Sequence, residues 1–273
     1  MSQKKLRSIV LGGFGTMKIA SFNANGIRAR LSIIRNWLER ERPDVLCIQE
    51  TKVRDEDFPR ESFEDLEYTC TFRGQKSYNG VAILSKTPPA HVRFGFGDGE
   101  IIDEPRMITA HINDLPVVNT YVPQGTAPDS ERFQYKLSWF RRLHEYFSKY
   151  YQPGEPLVWA GDFNVAPEPI DVYDPEKLLG SIGYHPEEHK ALATVKSWGF
   201  ADVFRLHHRN ERAYTFWDYR VPHAFSHGLG WRVDHIWATE CLADRCKRAW
   251  IDVGPRQLEK PSDHTFIVAE FEI

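Results

Sequence analysis

Leu157-Val158-Trp159-Ala160-Gly161-Asp162-Phe163-Asn164 is an apolar run that ends in a glycine, a carboxylate and an amide. Such a run reads as a buried strand, and its polar end as the place where the strand leaves the core. Alternation sends Asp162 and Asn164 to one side and turns Phe163 to the other. Two further runs carry the same signature. Gln49-Glu50-Thr51 ends Val45-Leu46-Cys47-Ile48, and Ser262-Asp263-His264 precedes Thr265-Phe266-Ile267-Val268-Ala269. Three strand ends therefore each deliver a carboxylate. Carboxylates brought together repel unless a divalent cation sits between them, and a nearby histidine suits proton handling or charge stabilisation on a phosphate. The pattern points to metal-assisted phosphodiester hydrolysis.

The chain has 273 residues, 41% hydrophobic and 27% charged, enough to bury a large core and too apolar for disorder. No apolar run approaches membrane-spanning length. At the N-terminus Lys4, Lys5 and Arg7 precede only Ile9-Val10-Leu11, too short for a secretory signal, so a cytoplasmic protein with no membrane partner is expected. The four cysteines, Cys47, Cys70, Cys241 and Cys246, form no C-x-x-C pair and read as free thiols. A net charge of -3 does not advertise a nucleic-acid binder and does not exclude one. Local charge matters more. Arg28, Arg30, Lys52, Arg54, Arg73, Lys76 and Arg106 fall in or near loops after the motif-bearing strands. Taken singly each is a solvated surface charge; on one rim they would make a phosphate-binding face.

Along the chain, Met17 to Asn23 reads as a first strand, Leu31 to Arg42 as an amphipathic helix stopped by Pro43, and Val45 to Glu50 as a second strand. Strand composition recurs at Tyr68 to Arg73, Gly80 to Ser85, Arg106 to Ile112 and Pro116 to Tyr121, with Asn113-Asp114 as a two-residue hairpin turn. A helix is expected from Ser130 to Tyr150, a loop from Glu168 to Tyr184, and a helix from Pro186 to Trp198. Strands are expected near Ala213 to Tyr219, Val233 to Thr239, Ala249 to Val253 and Thr265 to Ile273. No linker or repeat divides the chain, so residues 17–273 read as a single α/β domain. Residues 1–16 lack periodicity and read as a mobile tail or an upstream translation start.

The motifs then meet a known pattern. Ser21-Phe22-Asn23 with Gly26, Gln49-Glu50-Thr51-Lys52, Tyr121-Val122-Pro123-Gln124-Gly125, Gly161-Asp162-Phe163-Asn164, Thr215 to Arg220 (T-F-W-D-Y-R), Trp231-Arg232-Val233-Asp234 and Ser262-Asp263-His264 stand in one order. From Met17 to the C-terminus the chain resembles the exonuclease III family of abasic-site endonucleases, within the endonuclease/exonuclease/phosphatase superfamily. A lone G-D-F-N or S-D-H would be weak evidence; seven blocks in order are specific.

The resemblance implies a four-layer α/β sandwich, two mixed β-sheets packed face to face with helices outside. It also implies a Mg²⁺-dependent nuclease, with Mn²⁺ able to substitute, acting as a monomer on double-stranded DNA at abasic sites or 3′ ends. Glu50 would be the principal metal ligand, helped by Asp263 and Asn23, because hard oxygens suit that ion. Asp162 would orient or deprotonate the attacking water, Asn164 and Tyr121 would hold the scissile phosphate, and His264, paired with Asp234, would bind a phosphate oxygen. Phe216, Trp231 and Val233, with Trp217 beside or below them, would line a slot for a flipped-out abasic sugar. Lys52, Arg106 and Arg28 would contact the DNA backbone.

Plainer readings stand beside these. A solitary strand-end Asp is usually a turn residue, and Asp162 escapes that reading only through its companions. Tyr121 also fits a strand-end aromatic with a bonded hydroxyl, and Phe216, Trp231 and Val233 also fit a core. Asp234, between Val233 and Ile236, needs a polar or charged partner, whereas His235 points away from it and reads as structural. The segment Thr126 to Arg132 either inserts into a duplex or starts a helix. Rival functions are a phosphoesterase of the same superfamily acting on RNA or a phospholipid head group, and a catalytically dead DNA-binding module.

Overall fold

The computed structural model describes residues 15–99 and 104–273. Its strands are β1 (Thr16–Asn23), β2 (Val45–Gln49), β3 (Thr69–Arg73), β4 (Val81–Ser85), β5 (Ala90–Phe94), β6 (Met107–Ile112), β7 (Leu115–Tyr121), β8 (Val158–Asp162), β9 (Phe200–Asp202), β10 (Asp234–Thr239), β11 (Cys246–Asp252) and β12 (Phe266–Glu272). The helices are α1 (Leu31–Glu41), α2 (Glu61–Glu64), α3 (Glu131–Tyr150), α4 (Pro175–Leu178), α5 (Pro186–Lys196), α6 (Val203–His207) and α7 (Glu240–Ala243). Two six-stranded mixed sheets form, one in the order β11-β12-β1-β2-β4-β3 and the other β5-β6-β7-β8-β10-β9.

Alternation along the strands decides how the layers stack. Ile19, Val45, Cys47 and Ile83 of the first sheet meet Ile108, Val117, Val158, Ala160 and Ile236 of the second in one buried core. Ala20, Phe22, Leu46 and Ile48 point the other way, onto Ile33, Ile34, Trp37 and Leu38 of α1. Val118, Trp159, Phe163 and Trp237 likewise leave the inter-sheet core to meet Trp139, Phe140, Leu143 and Phe147 of α3 and Leu192 and Val195 of α5. Both faces of both sheets are thereby covered, and the layers run helix, sheet, sheet, helix. The expected four-layer sandwich is the observed one.

Local signals act as the sequence implies. Arg42 adopts a left-handed conformation at φ 47° and closes α1 before Pro43. Asn113 and Asp114, at φ 50° and 64°, form the two-residue turn between β6 and β7. Ser130 caps α3, its side chain accepting from the Phe133 N–H, so the segment after Gly125 does start that helix.

Three expectations need correction. Ala213 to Tyr219 is not a strand: Thr215 and Phe216 bond Trp231, Trp217 bonds Asp263, and Thr265 bonds Thr215, so the segment clips two loops together instead of running along one partner. β5 and β9 were not anticipated, because β5 is largely exposed and irregular in register and β9 has only three residues. The first strand begins at Thr16, and the Gly15 carbonyl already accepts the Ile273 N–H, so the expected tail is shorter at its end; its residues 1–14 lie outside the described residues.

Topology sets the working edge. β1 and β2 are parallel, as are β7 and β8, so their C-terminal ends lie together. β10 runs antiparallel to β8 and β12 antiparallel to β1, which brings their starts to that same end, with Asp234 opposite Asp162 in register. A buried polar clip joins the sheets there: Gln49 donates to Asn119 (2.8 Å) and Ser21 (3.0 Å), and Asn119 donates to the carbonyls of Ile48 (3.0 Å) and Ala82 (2.8 Å). No helix among the described residues is long and apolar enough to cross a membrane.

Candidate active site

The edge carries Asn23 from β1, Glu50 after β2, Tyr121 from β7, Asp162 and Asn164 from β8 and the turn after it, Asp234 from β10, and Asp263 and His264 before β12. Several of these need unusual backbone. Glu50, Lys52 and Asn164 all sit at positive φ (50°, 54° and 51°), a region that a non-glycine residue occupies at a cost and that clusters at functional turns. Gly161 shows why G precedes D in this motif. Its φ is +138°, and a Cβ would fall 2.0 Å from the Thr120 carbonyl oxygen of the neighbouring strand.

Asn23 joins two acids. Its amide nitrogen donates to Glu50 (2.9 Å) and Asp162 (2.8 Å), while its oxygen accepts the Asn25 N–H (2.9 Å). Asp162 also accepts from the Asn164 N–H (2.8 Å) and its amide (3.2 Å), and that amide reaches the Val122 carbonyl (2.9 Å). His264 Nδ1 lies 2.8 Å from Asp234, and its Nε2 lies 4.0 Å from Asp162. Asp234 is steadied by Thr215, whose hydroxyl oxygen accepts the N–H groups of both Val233 and Asp234 at 3.1 Å.

Proton affinities diverge as these contacts dictate. Burial, then the charge of Asp234, pushes Asp162 up to about 7 against the pull of His264 and Asn23. Burial pulls His264 down, but Asp234 outweighs it, with Asp162 and Asp263 behind, and the imidazolium is held up to about 10. Burial raises Glu50, yet Lys52 and Asn23 overcome it and keep the carboxylate ionised. Tyr121, bonded to Glu50, is pushed up by burial and by the charges of Glu50 and Asp162, so its hydroxyl keeps its proton.

Glu50, Asp162 and His264 place ligand-type atoms within 4.8 Å of one another. An imidazolium offers only N–H donors. The cation-ready groups are therefore the two carboxylates, whose hard oxygens fit a divalent cation, and His264 stands by as a positive charge. Asp263 lines the same cavity and accepts from Asn25 (2.9 Å), and Asn23 turns its donor side, not its oxygen, toward Glu50 and Asp162. Lys52 pairs with Glu50 at 2.7 Å and also bonds Asn25.

The cluster opens into a cavity of about 730 Å³ lined by Tyr121, Asn164, His264, Phe216, Trp231 and Val233 among others. Trp217 lies below this wall: it is buried, Arg256 sits over its ring at 5.6 Å, and Gly230 packs so closely that a Cβ would come within 2.6 Å of its indole nitrogen. Arg106 is buried, pairs with Glu104 and lies over the Tyr121 ring at 4.7 Å, so it backs the tyrosine and presents no free cation. Arg28 is exposed, paired with Asp57 at 2.7 Å, and outside the cavity lining. Sequence reasoning missed Asn25, which ties Asp263 to Lys52; its signal was an Asn directly before Gly26, and it adopts φ 44°.

The model of the endonuclease/exonuclease/phosphatase family matches residues 20–264. Exodeoxyribonuclease III of Haemophilus influenzae is 35% identical over 268 residues, covering 94% of this chain and all of that protein. Among solved structures, an AP endonuclease from Archaeoglobus fulgidus superposes with a TM-score of 0.92 at 49% identity, covering 94% of this chain and 100% of that one. The 3′ phosphatase NExo from Neisseria, bound to a product DNA hairpin, superposes with a TM-score of 0.90 at 36% identity over the same shares. With seven motifs in order, two facing six-stranded sheets and relatives spanned from end to end, the chain belongs to the endonuclease/exonuclease/phosphatase family, in its exodeoxyribonuclease III and AP endonuclease branch.

Proposed function

We propose that this protein is a Mg²⁺-dependent DNA repair nuclease that hydrolyses the phosphodiester 5′ to an abasic site, leaving a 3′-hydroxyl, and also trims 3′ ends. One observation carries the reading: Glu50 and Asp162, bridged by Asn23, face the His264–Asp234 pair at the mouth of a cavity walled by Phe216, Trp231 and Val233. Those three side chains give an apolar wall against which a sugar without its base can pack, and extrusion costs least where pairing is already lost.

Asp162, with its raised proton affinity, takes the proton of the attacking water. The His264 imidazolium, the Asn164 amide and the Tyr121 hydroxyl hold the phosphate oxygens and offset the charge that builds on them. Glu50 would hold the cation together with Asp263, the acid that lines the same cavity and is tied to Asn25, leaving Asp162 to the proton; when bound, the ion would neutralise phosphate charge and polarise the scissile bond. Positioning and charge neutralisation supply most of the rate, and no covalent intermediate is needed.

The proposed working unit is a monomer with one catalytic domain over residues 17–273, since this single chain contributes every group named. Four free cysteines suit a reducing cytoplasm. The test is incubation of purified protein with duplex DNA carrying one tetrahydrofuran abasic analogue, with Mg²⁺ or with chelator. Asp162→Asn should lower turnover about 10²–10⁴-fold and leave duplex affinity nearly unchanged. Cleavage that persists in chelator, or wild-type turnover in that variant, refutes the assignment.

A further inference from the structure

A lysine and a glutamate lie fully buried behind the cavity. Lys136 on α3 and Glu188 on α5 have no exposed side-chain surface, and their charged ends are hydrogen-bonded to each other. The other Lys136 donors go to the carbonyls of Asn164 (2.7 Å) and Gln124 (3.2 Å). The second oxygen of Glu188 accepts the N–H groups of Gly183 (2.7 Å) and His185 (3.1 Å). All three ammonium protons and both carboxylate oxygens are thus spent, four of the contacts falling on backbone that edges the cavity or adjoins it.

Two of those segments differ in task. Gln124 and Asn164 follow the strands that bear Tyr121 and Asp162, so they belong to the phosphate side. Gly183 belongs to the wall: it lines the cavity at φ +84°, and a Cβ on it would meet the Trp231 ring at 3.5 Å. Burial of both charges is costly, and a well-packed apolar pair of equal volume would serve the core as well or better. What an apolar pair cannot do is hold two carbonyls and two amides in fixed directions.

We propose that Lys136 and Glu188 are positioning residues of the nuclease site, Lys136 registering the phosphate-binding turns and Glu188 setting the width of the sugar slot at Gly183. The assignment rests on the function proposed above. It divides one ion pair into two readouts: loss of Lys136 disturbs the rate, and loss of Glu188 disturbs selectivity.

Lys136→Met and Glu188→Gln are compared with wild type in single-turnover and steady-state cleavage of matched duplexes with and without the abasic analogue. Backbone hydrogen exchange is followed in parallel over residues 122–126, 162–166 and 181–186. Glu188→Gln keeps the side-chain shape and an oxygen for Lys136 but loses an acceptor for Gly183 and His185. It should lower selectivity for the abasic duplex about tenfold, change kcat on that duplex less than about threefold, and speed exchange at 181–186 and at Ala166, whose N–H bonds the Gly183 carbonyl, but not at 122–126. Lys136→Met should lower kcat about 10–100-fold with little change in KM and speed exchange at 122–126 and 162–166. Should Lys136→Met fail to fold, Glu188→Gln alone decides. Equal losses on both duplexes with an earlier melt, or unchanged exchange at Gly183 and His185, would mean that the pair is core packing and overturn the proposal. A wild type that does not prefer the abasic duplex would instead overturn the proposed function, and the exchange rates would still decide whether the pair pins these segments.

Discussion

His264 Nδ1 lies 2.8 Å from Asp234 Oδ2, while the other oxygen of Asp234 has no hydrogen-bond partner among the described residues. A buried carboxylate so exclusively committed to one imidazole fixes the tautomer and favours the charged ring. Asp234→Asn keeps the shape but removes the charge that outweighs burial, so the His264 imidazolium becomes easier to deprotonate. Turnover near neutral pH should fall about 10²–10⁴-fold, with duplex affinity changed far less. NMR titration of His264 checks the cause; an imidazole that still titrates far above its ordinary range in the variant would sink the argument.

Lys52 pairs with Glu50 at 2.7 Å and Asn23 donates to it at 2.9 Å, so the carboxylate is held ionised, the form a divalent cation binds. Glu50→Gln removes one negative charge from a site of hard oxygens. The Mg²⁺ concentration for half activity should rise about tenfold or more, and high Mg²⁺ should restore part of the rate, because Asp263 remains. A metal titration that superposes on the wild type would show that Glu50 does not bind the ion.

Two histidines give stability opposite slopes with pH. His235 is neutral, its Nδ1 accepting from Arg232 (3.1 Å) and its Nε2–H donating to the Val165 carbonyl (3.0 Å); burial, then Arg232, pulls it from 6.5 down to about 4. The unfolded chain takes that proton first, so the contribution is complete above pH 6.5 and is lost as pH falls toward 4, by at most about 3 kcal/mol. His264, raised to about 10, contributes fully below pH 6.5 and loses its share as pH climbs toward 10. Melting temperature measured with chelator from pH 4 to 7 should therefore depend on pH less steeply in His235→Gln, whose amide can keep both hydrogen bonds. Equal slopes in the two proteins would refute the account.

Periodicity explains what the sequence disclosed. Phe22 and Phe163 turn away from Asn23 and Asp162 because strands alternate, and the apolar spacing of Ile33, Ile34, Trp37 and Leu38 marks the face α1 buries. Side chains whose purpose lies in partners distant along the chain stayed hidden. Glu188 holds the ammonium of Lys136, 52 positions away, and that contact leaves no local pattern; its bonds to Gly183 and His185 are local, the second closing the capping box of α5. Lys136 did leave a trace, a charge among the apolar positions Phe133 and Phe140 of α3, but a helix surface tolerates lysines too often for that alone to be read. Arg106 misled for the opposite reason. Its loop position suggested a free cation, while Glu104 and the Tyr121 ring absorb it.

Trp231 decides whether the cavity wall recognises damage or merely closes the core. Its N–H and carbonyl bond Phe216 and Thr215, so the backbone is held apart from what the ring does, and Gly183 leaves room for the indole on the far side. Trp231→Ala would widen the slot without disturbing the phosphate contacts on the rim, which carry affinity but no information about the base. Selectivity for the abasic analogue over an intact nucleotide at the cleavage position should fall about tenfold, while total duplex affinity changes little. The quantity to measure is the ratio of kcat/KM for the two duplexes at one fixed salt concentration, because the electrostatic part of binding varies with salt. If both values drop together and the protein melts earlier, the indole is core packing, and recognition must lie with Phe216 and Val233 or outside this wall.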